Sequence, residues 1–430
     1  MSDKKKAEWS ATEHSRQQEF MEKCRQAVEN RYEENRSPMA LIRSYGCQQN
    51  TSDSEKIMGM LSQMGFGFTD NMDAADVIIY NTCAVRENAE VKVFGFVGEL
   101  SHCKAKNENL LIGLCGCMVQ QEHITQKIKK SYPQIDFVFG THALQRFPEI
   151  FYETLTAHRR IFEIQDSDGV IAEGIPVHRM GRIQASLPIM YGCNNFCTYC
   201  VVPLVRGRER SRRSEDVIQE AKEIVKSGYR EIMLLGQNVN SYGKDLKDDL
   251  SFPQLLSEIN RIDGDFRIRF MTSHPRDCTK ELIDTVASGE KICKHIHLPV
   301  QAGSNRILKK MNRHYTAEEY LELVAYARKK IPDVMFTSDI IVGFPGETAA
   351  DFQETLQLIQ KVQYASLFTF IYSKRVGTKA AAMEDPIPAA EKSRWFQKLV
   401  DEQRKITESI YKECIGKTMR VLVERTGEHQ

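Results

Sequence analysis

The 430 residues carry almost no net charge, 59 lysines and arginines facing 58 aspartates and glutamates. A chain so balanced has no overall field with which to collect a polyanion, so any contact with nucleic acid must come from a local basic patch. Long apolar runs are missing too. The opening MSDKKKAEWSATEHS lacks the apolar core of a secretory signal, and the longest apolar runs, such as Leu110 to Val119, fall far short of the ~20 residues that span a bilayer. No membrane span or export is expected, and the chain reads as cytoplasmic. Neither a repeat of solenoid period nor a low-complexity tract is present. At roughly 150 residues per domain the length predicts two or three domains, each with its own core, which excludes a single small binding module.

Cysteine, by contrast, is plentiful. Twelve cysteines in a reducing compartment make a poor disulfide framework, and their grouping points to metal ligation.

Residues 1 to 37 hold eight acidic and eight basic side chains and read as a charged arm, a solvated helix or a disordered tail. From Met39 onward short apolar runs alternate with amphipathic stretches, as in a parallel sheet with crossover helices. The runs Ala40 to Tyr45, Val77 to Tyr80, Leu110 to Leu114 and Phe137 to Phe139, with a helix from Ser54 to Met64, predict a small α/β domain over 38–180. A second series predicts six strand–helix repeats over 181–413, with strands at Arg182 to Ile189, Ile232 to Leu235, Ile268 to Met271, Ile296 to Val300, Val334 to Val342 and Leu367 to Tyr372. Six parallel units are too few for a closed eight-stranded barrel, so a partial (β/α)6 barrel is expected, with its chemistry at the carboxyl ends of the strands. Pro386-Ile387-Pro388 leads into an amphipathic helix from Glu391 to Tyr411, and Met419 to Val423 reads as one further strand.

Cys193, Cys197 and Cys200 lie on one short loop after the first strand of the second series. Structural zinc takes four ligands, and no fourth Cys or His stands nearby in sequence. Three thiolates on a four-iron cubane leave one iron open to a chelating small molecule. Cys47, Cys83 and Cys117 are far apart in sequence, yet each follows one of the first three predicted strands, and in a parallel sheet those ends share one edge. They could hold a second cluster or serve as small buried apolar residues. Cys115 is unassigned, and Cys24, Cys103, Cys278, Cys293 and Cys414 show no ligand spacing.

The C-x3-C-x2-C loop with Tyr199 before its last cysteine resembles the radical S-adenosylmethionine (SAM) superfamily. Ser44 to Asn50, Asn81 to Arg86 and Gly116 to Gln120 resemble the N-terminal domain of the methylthiotransferases. That resemblance implies two 4Fe-4S clusters, an auxiliary one on Cys47, Cys83 and Cys117 and a SAM-cleaving one on Cys193, Cys197 and Cys200. It also implies SAM contacts from Tyr199, from Gly236, Gln237 and Asn238, where Gly236 would let the backbone approach ligand, and from Ser338, Asp339 and Ile341. One SAM would methylate the sulfur and a second would be the radical source, with a flavodoxin or ferredoxin as electron donor and a separate sulfur donor. Gln237 to Gly243, with Val201-Val202-Pro203 and Arg206-Gly207, is similar to the branch acting on N6-isopentenyladenosine beside the tRNA anticodon.

Arg206, Arg208, Arg210, Arg212 and Arg213 put five arginines in eight residues, beside the proposed radical source. They are expected to grip phosphates of the tRNA anticodon loop, whose single-stranded bases can be splayed toward a buried site. Ile415 to Glu424 resembles the opening strand of the family's C-terminal RNA-binding barrel, called TRAM. With 16 residues from Ile415 to Gln430, only the start of that barrel over 414–430 is expected, in a chain expected to act as a monomer. Two branches share both cysteine sets and stay open, one acting on threonylcarbamoyladenosine in tRNA and one on an aspartate of a ribosomal protein. A non-catalytic, metal-stabilised RNA-binding protein is the alternative of another class, and it predicts a colourless zinc protein.

Overall fold

The computed structural model describes residues 9–31, 36–85, 87–157, 159–165 and 168–424. The ends of the charged arm, Arg86 of the second cysteine motif and residues 425–430 lie outside these. The chain divides into two compact units that are not consecutive in sequence. The first holds Met1–Met180, Tyr191–Cys193 and Val201–Arg210, and the second Gly181–Met190, Asn194–Cys200 and Ser211–Gln430.

In the first unit the strands are β1 (Met39–Ser44), β2 (Gly67–Phe68), β3 (Val77–Thr82), β4 (Leu111–Gly116), β5 (Phe137–Phe139) and β6 (Ile161–Glu163). They form one parallel sheet in the order β2-β1-β3-β4-β5-β6. Alternate residues feed opposite cores: Val77 and Ile79 join Cys115, Phe137 and Phe139 on one face, while Ile78 and Tyr80 join Ile112, Leu114 and Val138 on the other. Burial on both faces explains why these strands read as unbroken apolar runs. The two edge strands, β2 and β6, have no such run and were not expected.

The helices of this unit are α1 (Ala11–Arg31), α2 (Gln48–Gln63), α3 (Glu87–Lys106), α4 (Glu122–Ser131), α5 (Phe147–Ala157) and the short α6 (Val202–Arg206). Along its middle the arm is a helix, as one of the two expected forms has it, but one of its faces is not solvated. α1 buries Gln17, Met21, Cys24 and Val28, one face at helical spacing, and Cys24 Sγ donates to Pro148 O at 3.4 Å. The expected helix at Ser54 begins six residues earlier, directly after Cys47.

The second unit carries β7 (Gln184–Pro188), β8 (Glu231–Leu235), β9 (Arg267–Phe270), β10 (His295–His297), β11 (Met335–Val342) and β12 (Ser366–Ile371). β7-β8-β9 and β10-β11-β12 are two parallel ladders, and a parallel bridge from Ile268 to Ile292 carries the order from one to the other. This is the partial (β/α)6 arrangement. Its helices are α7 (Ser214–Lys226), α8 (Phe252–Arg261), α9 (Lys280–Ser288), α10 (Asn305–Lys310), α11 (Ala317–Lys330), α12 (Ala349–Val362) and α13 (Ala389–Lys412). Thr316 with Glu319 and Thr348 with Asp351 form capping boxes that start α11 and α12. Met419 to Val423 forms no strand and is exposed, a correction to the expected strand: among the described residues no strand lies beside it, and Arg420 is held only by its side chain, to Asp265 at 2.6 Å.

Candidate functional site

In the first unit β1, β3 and β4 are neighbours, with Ser44 opposite Asn81 and Thr82 opposite Gly116. Cys47, Cys83 and Cys117 follow these three ends, and the sheet brings them together. Gly46 (φ 116°) has no room for a side chain, since a Cβ there would lie 2.3 Å from Cys83 Cβ and 2.7 Å from its Sγ. Asn50, in the first turn of α2, is the strut between the ends. Its Nδ2 donates to Tyr45 O at 2.9 Å and Thr82 O at 3.0 Å, and its Oδ1 lies 3.9 Å from Cys47 Sγ and 3.8 Å from Cys117 Sγ. Cys83 and Cys117 are buried while Cys47 is exposed. Cys115 faces the core among Phe137 and Phe139, which settles it as a packing residue.

The second loop is anchored residue by residue to the end of α10. Thr198 donates from its N–H to Met311 O at 3.1 Å and from its hydroxyl to Lys310 O at 2.9 Å. Asn312 Nδ2 donates to Asn195 O at 3.2 Å and Phe196 O at 3.1 Å, and Arg313 Nη1 to Cys197 Sγ at 3.2 Å. Phe196 and Asn312 both sit at positive φ, 47° and 61°, a strain that persists where surroundings over-determine the backbone. Tyr199 packs edge-on to Phe344, ring centres 6.5 Å apart. Cys197 is buried and Cys200 half-buried in the second unit, and Cys193, also buried, belongs to the first.

The strand ends of the second unit carry a polar group. Asn238 is buried, its Nδ2 donating to Asp277 Oδ2 at 2.7 Å and its Oδ1 accepting from His274 N at 3.1 Å. Around it, Asn240 Nδ2 and Oδ1, Ser273 Oγ and His274 Nε2 are buried without a hydrogen-bond partner among the described residues. Burial and the nearby Arg313 charge hold the His274 imidazole down at about 2, so it is neutral. Its Nδ1 accepts from Arg276 N at 3.2 Å, which leaves the proton on Nε2 as a donor. Orphaned buried polar atoms are rare in folded proteins, and these suit a polar ligand.

The Radical SAM superfamily pattern matches residues 187–359, and that of the Uncharacterized protein family UPF0004 matches residues 39–140. The tRNA-2-methylthio-N(6)-dimethylallyladenosine synthase of Acetivibrio thermocellus is 48% identical over 423 residues, covering 98% of this chain and 88% of the relative. That of Carboxydothermus hydrogenoformans is 54% identical over 383 residues, covering 89% of this chain and 87% of its own. The chain belongs to this family of synthases. Among solved structures, the radical S-adenosylmethionine methyltransferase TsrM from Kitasatospora setae shares the fold at TM-score 0.58 and 14% identity, over 80% of this chain and 77% of that one.

For a synthase of this family the residues fit two four-iron clusters. Burial pushes the Cys117 thiol up to about 12 despite the pull of Arg206, so the side chain is a neutral thiol unless a bound metal takes the place of its proton. No three His, Cys, Asp or Glu side chains among the described residues are placed to hold a single metal ion. A cubane is met differently, because each cysteine binds a different iron.

Several expectations need correction. Arg206 is no phosphate grip: it is buried, with Nε donating to Cys117 Sγ at 3.1 Å and Nη2 meeting Asn50 Oδ1 and Asp53 Oδ2, each at 2.8 Å. Arg212 is buried too, bonded to Pro188 O at 2.8 Å and paired with Glu220 at 2.7 Å. Arg208 and Arg213 are exposed, while Arg210 folds back on Arg206 O and Arg208 O. Gly236 is closely packed, as a Cβ there would lie 2.6 Å from Met190 Cγ. Ser338 is buried and its hydroxyl ties strands, accepting from Val300 N and donating to Leu298 O, both at 2.9 Å. Asp339 and Ile341 alternate with buried Ile340 and Val342, so they share the opposite, half-exposed face of β11. Gln237 is half-buried. Sequence reasoning missed Asn50, Asp53, Asn312 and Arg313, whose partners Thr82, Arg206, Asn195 and Cys197 lie far away along the chain.

Proposed function

We propose that this chain is a radical SAM methylthiotransferase that converts N6-dimethylallyladenosine beside the tRNA anticodon into its 2-methylthio derivative. The observation that carries the reading is the pair of cysteine triads, each held by a second-layer frame, in a chain matched over nearly its full length by such synthases. We take 38–180 for the auxiliary domain and 181–413 for the radical core. Cys47, Cys83 and Cys117 would hold one cluster and Cys193, Cys197 and Cys200 the other. When bound, the second supplies the electron that cleaves SAM and the first a place for the sulfur.

The chain's own share is placement and exclusion. Asn50 fixes two of the three auxiliary strand ends, and Ala84, Val201 and Val205 pack against Cys117, keeping water from its sulfur. Residues 310 to 313 hold the radical loop in one conformation, which fixes where the reacting carbon must come. Asn240, Ser273 and His274 offer hydrogen bonds to the polar parts of SAM. Arg208, Arg210 and Arg213 are the members of the basic run left for tRNA phosphates. A one-electron donor such as a flavodoxin or ferredoxin and a sulfur donor complete the reaction, in a cytoplasmic, monomeric enzyme; no described helix is long and apolar enough to cross a membrane.

Iron and sulfide per chain after anaerobic reconstitution test the two clusters: about eight irons should fall to about four in the Cys193→Ala, Cys197→Ala, Cys200→Ala variant. Mass analysis of tRNA nucleosides from cells lacking the gene tests the substrate. Loss of the methylthio form of threonylcarbamoyladenosine instead, with dimethylallyladenosine unaffected, would reassign the branch.

A further inference from the structure

Arg313 lies in the second unit, three residues past α10, and is 4% exposed. Each of its three nitrogens has a partner: Nη1 donates to Cys197 Sγ at 3.2 Å, Nη2 to Pro299 O at 2.8 Å and Nε to the Tyr315 oxygen at 2.9 Å. The Tyr315 proton is used elsewhere, on Val300 O at 2.7 Å. The carbonyl and the phenol are neutral, and among the described residues no carboxylate pairs with Arg313. A guanidinium buried in this way carries a desolvation cost of several kcal/mol unless an anion answers it.

Arg206 shows what the ordinary answer looks like. It also donates one N–H to a cysteine sulfur, yet Asp53 stands 2.8 Å away to balance its charge. For Arg313 the candidate anion is on Cys197 itself, as thiolate and as whatever that thiolate carries.

We propose that Arg313 is a positioning residue that holds the Cys197 thiolate and raises the reduction potential of the cluster on Cys193, Cys197 and Cys200. The inference rests on the reading that these cysteines hold a cluster. Reduction takes one electron from a protein donor and adds one negative charge to the cluster; no bond to Arg313 is made or broken. A fixed cation with an N–H aimed at a ligand sulfur stabilises the reduced form more than the oxidised one, so the electron enters more readily.

The test uses the full chain carrying Cys47→Ala, Cys83→Ala and Cys117→Ala, so that one cluster remains, and follows its reduction in a potentiometric titration read by electron paramagnetic resonance. With Arg313→Met, the ratio of reduced to oxidised cluster at fixed potential should fall at least tenfold, which is about 59 mV for a one-electron couple. Arg313→Lys, which keeps the charge and loses the fork, should fall between. An unchanged ratio at full iron content overturns the proposal. If Arg313→Met takes up no iron, Arg313→Gln is read by the same rule; a folded chain without iron in both supports the hold on the thiolate, and an unfolded chain in both makes Arg313 a residue of the fold and overturns it. A background protein that binds no iron, with Arg313 intact, refutes the cluster reading itself and the proposal with it.

Discussion

The two cysteine triads are assembled in opposite ways. In the first unit the thiols come from three strand ends and meet because the register of β1, β3 and β4 is right. In the second, they sit on eight consecutive residues, and what needs explaining is how so short a loop keeps one shape. The frames differ to match. Asn50 ties strand ends to one another, while the residues after α10 grip a loop from outside. A site built from long-range pairing is as secure as its sheet, and a site built on a loop is as secure as its anchors.

The sharpest way to break the comparison is chemical. Cys197→Ala should abolish SAM cleavage, seen as loss of 5′-deoxyadenosine on chromatography, whereas Cys83→Ala should spare cleavage and stop sulfur insertion into tRNA; survival of both activities in Cys83→Ala would end the division of labour. Next comes Gly46→Ala, which forces a methyl group onto Cys83. Iron should drop from about eight to about four per chain, with the radical cluster's spectrum intact.

A smaller effect should separate the units by pH. Buried Glu347 in the second unit is pushed up to about 7 by desolvation, against the N–H groups of Gly343 and Phe344 that it accepts. Its folded value exceeds the unfolded one, so the folded chain binds the extra proton and stability falls as pH rises from about 4.5 to 7. The loss is on the order of 3 kcal/mol by linkage, and Glu347→Gln should remove that slope in denaturant titrations. Smaller still, Asn50→Ala leaves Tyr45 O and Thr82 O without their side-chain donor and should cost about 2 kcal/mol, against about 1 kcal/mol for Asn312→Ala on the half-buried loop. Chelator should then strip iron faster from the auxiliary set in the first variant and from the radical set in the second.

The inner strands of the first unit were legible in the sequence because they are buried on two faces and read as unbroken apolar runs. The cysteines were legible because thiol spacing is itself a signal. β2 and β6 were not, being two and three residues long at the sheet edge. The buried face of α1 was written in Met21, Cys24 and Val28 at helical spacing, but the charges around it dominated the reading. The arginine run misled for a related reason: Arg206 and Arg208 look alike in sequence, and what separates them is Asp53, more than a hundred residues earlier. Arg313 gave no local sign at all, since its meaning comes from a sulfur 116 residues away.

The chain passes from one unit to the other five times, after residues 180, 190, 193, 200 and 210. Neither half can therefore be made as an independent gene product by a single cut: a fragment ending at Met180 would leave Arg206 behind, and Asp53 and Cys117 would lose the partner that completes their frame. Recombination that swaps whole modules between relatives would meet the same obstacle, so the two halves of such an enzyme are expected to be inherited and exchanged as one piece.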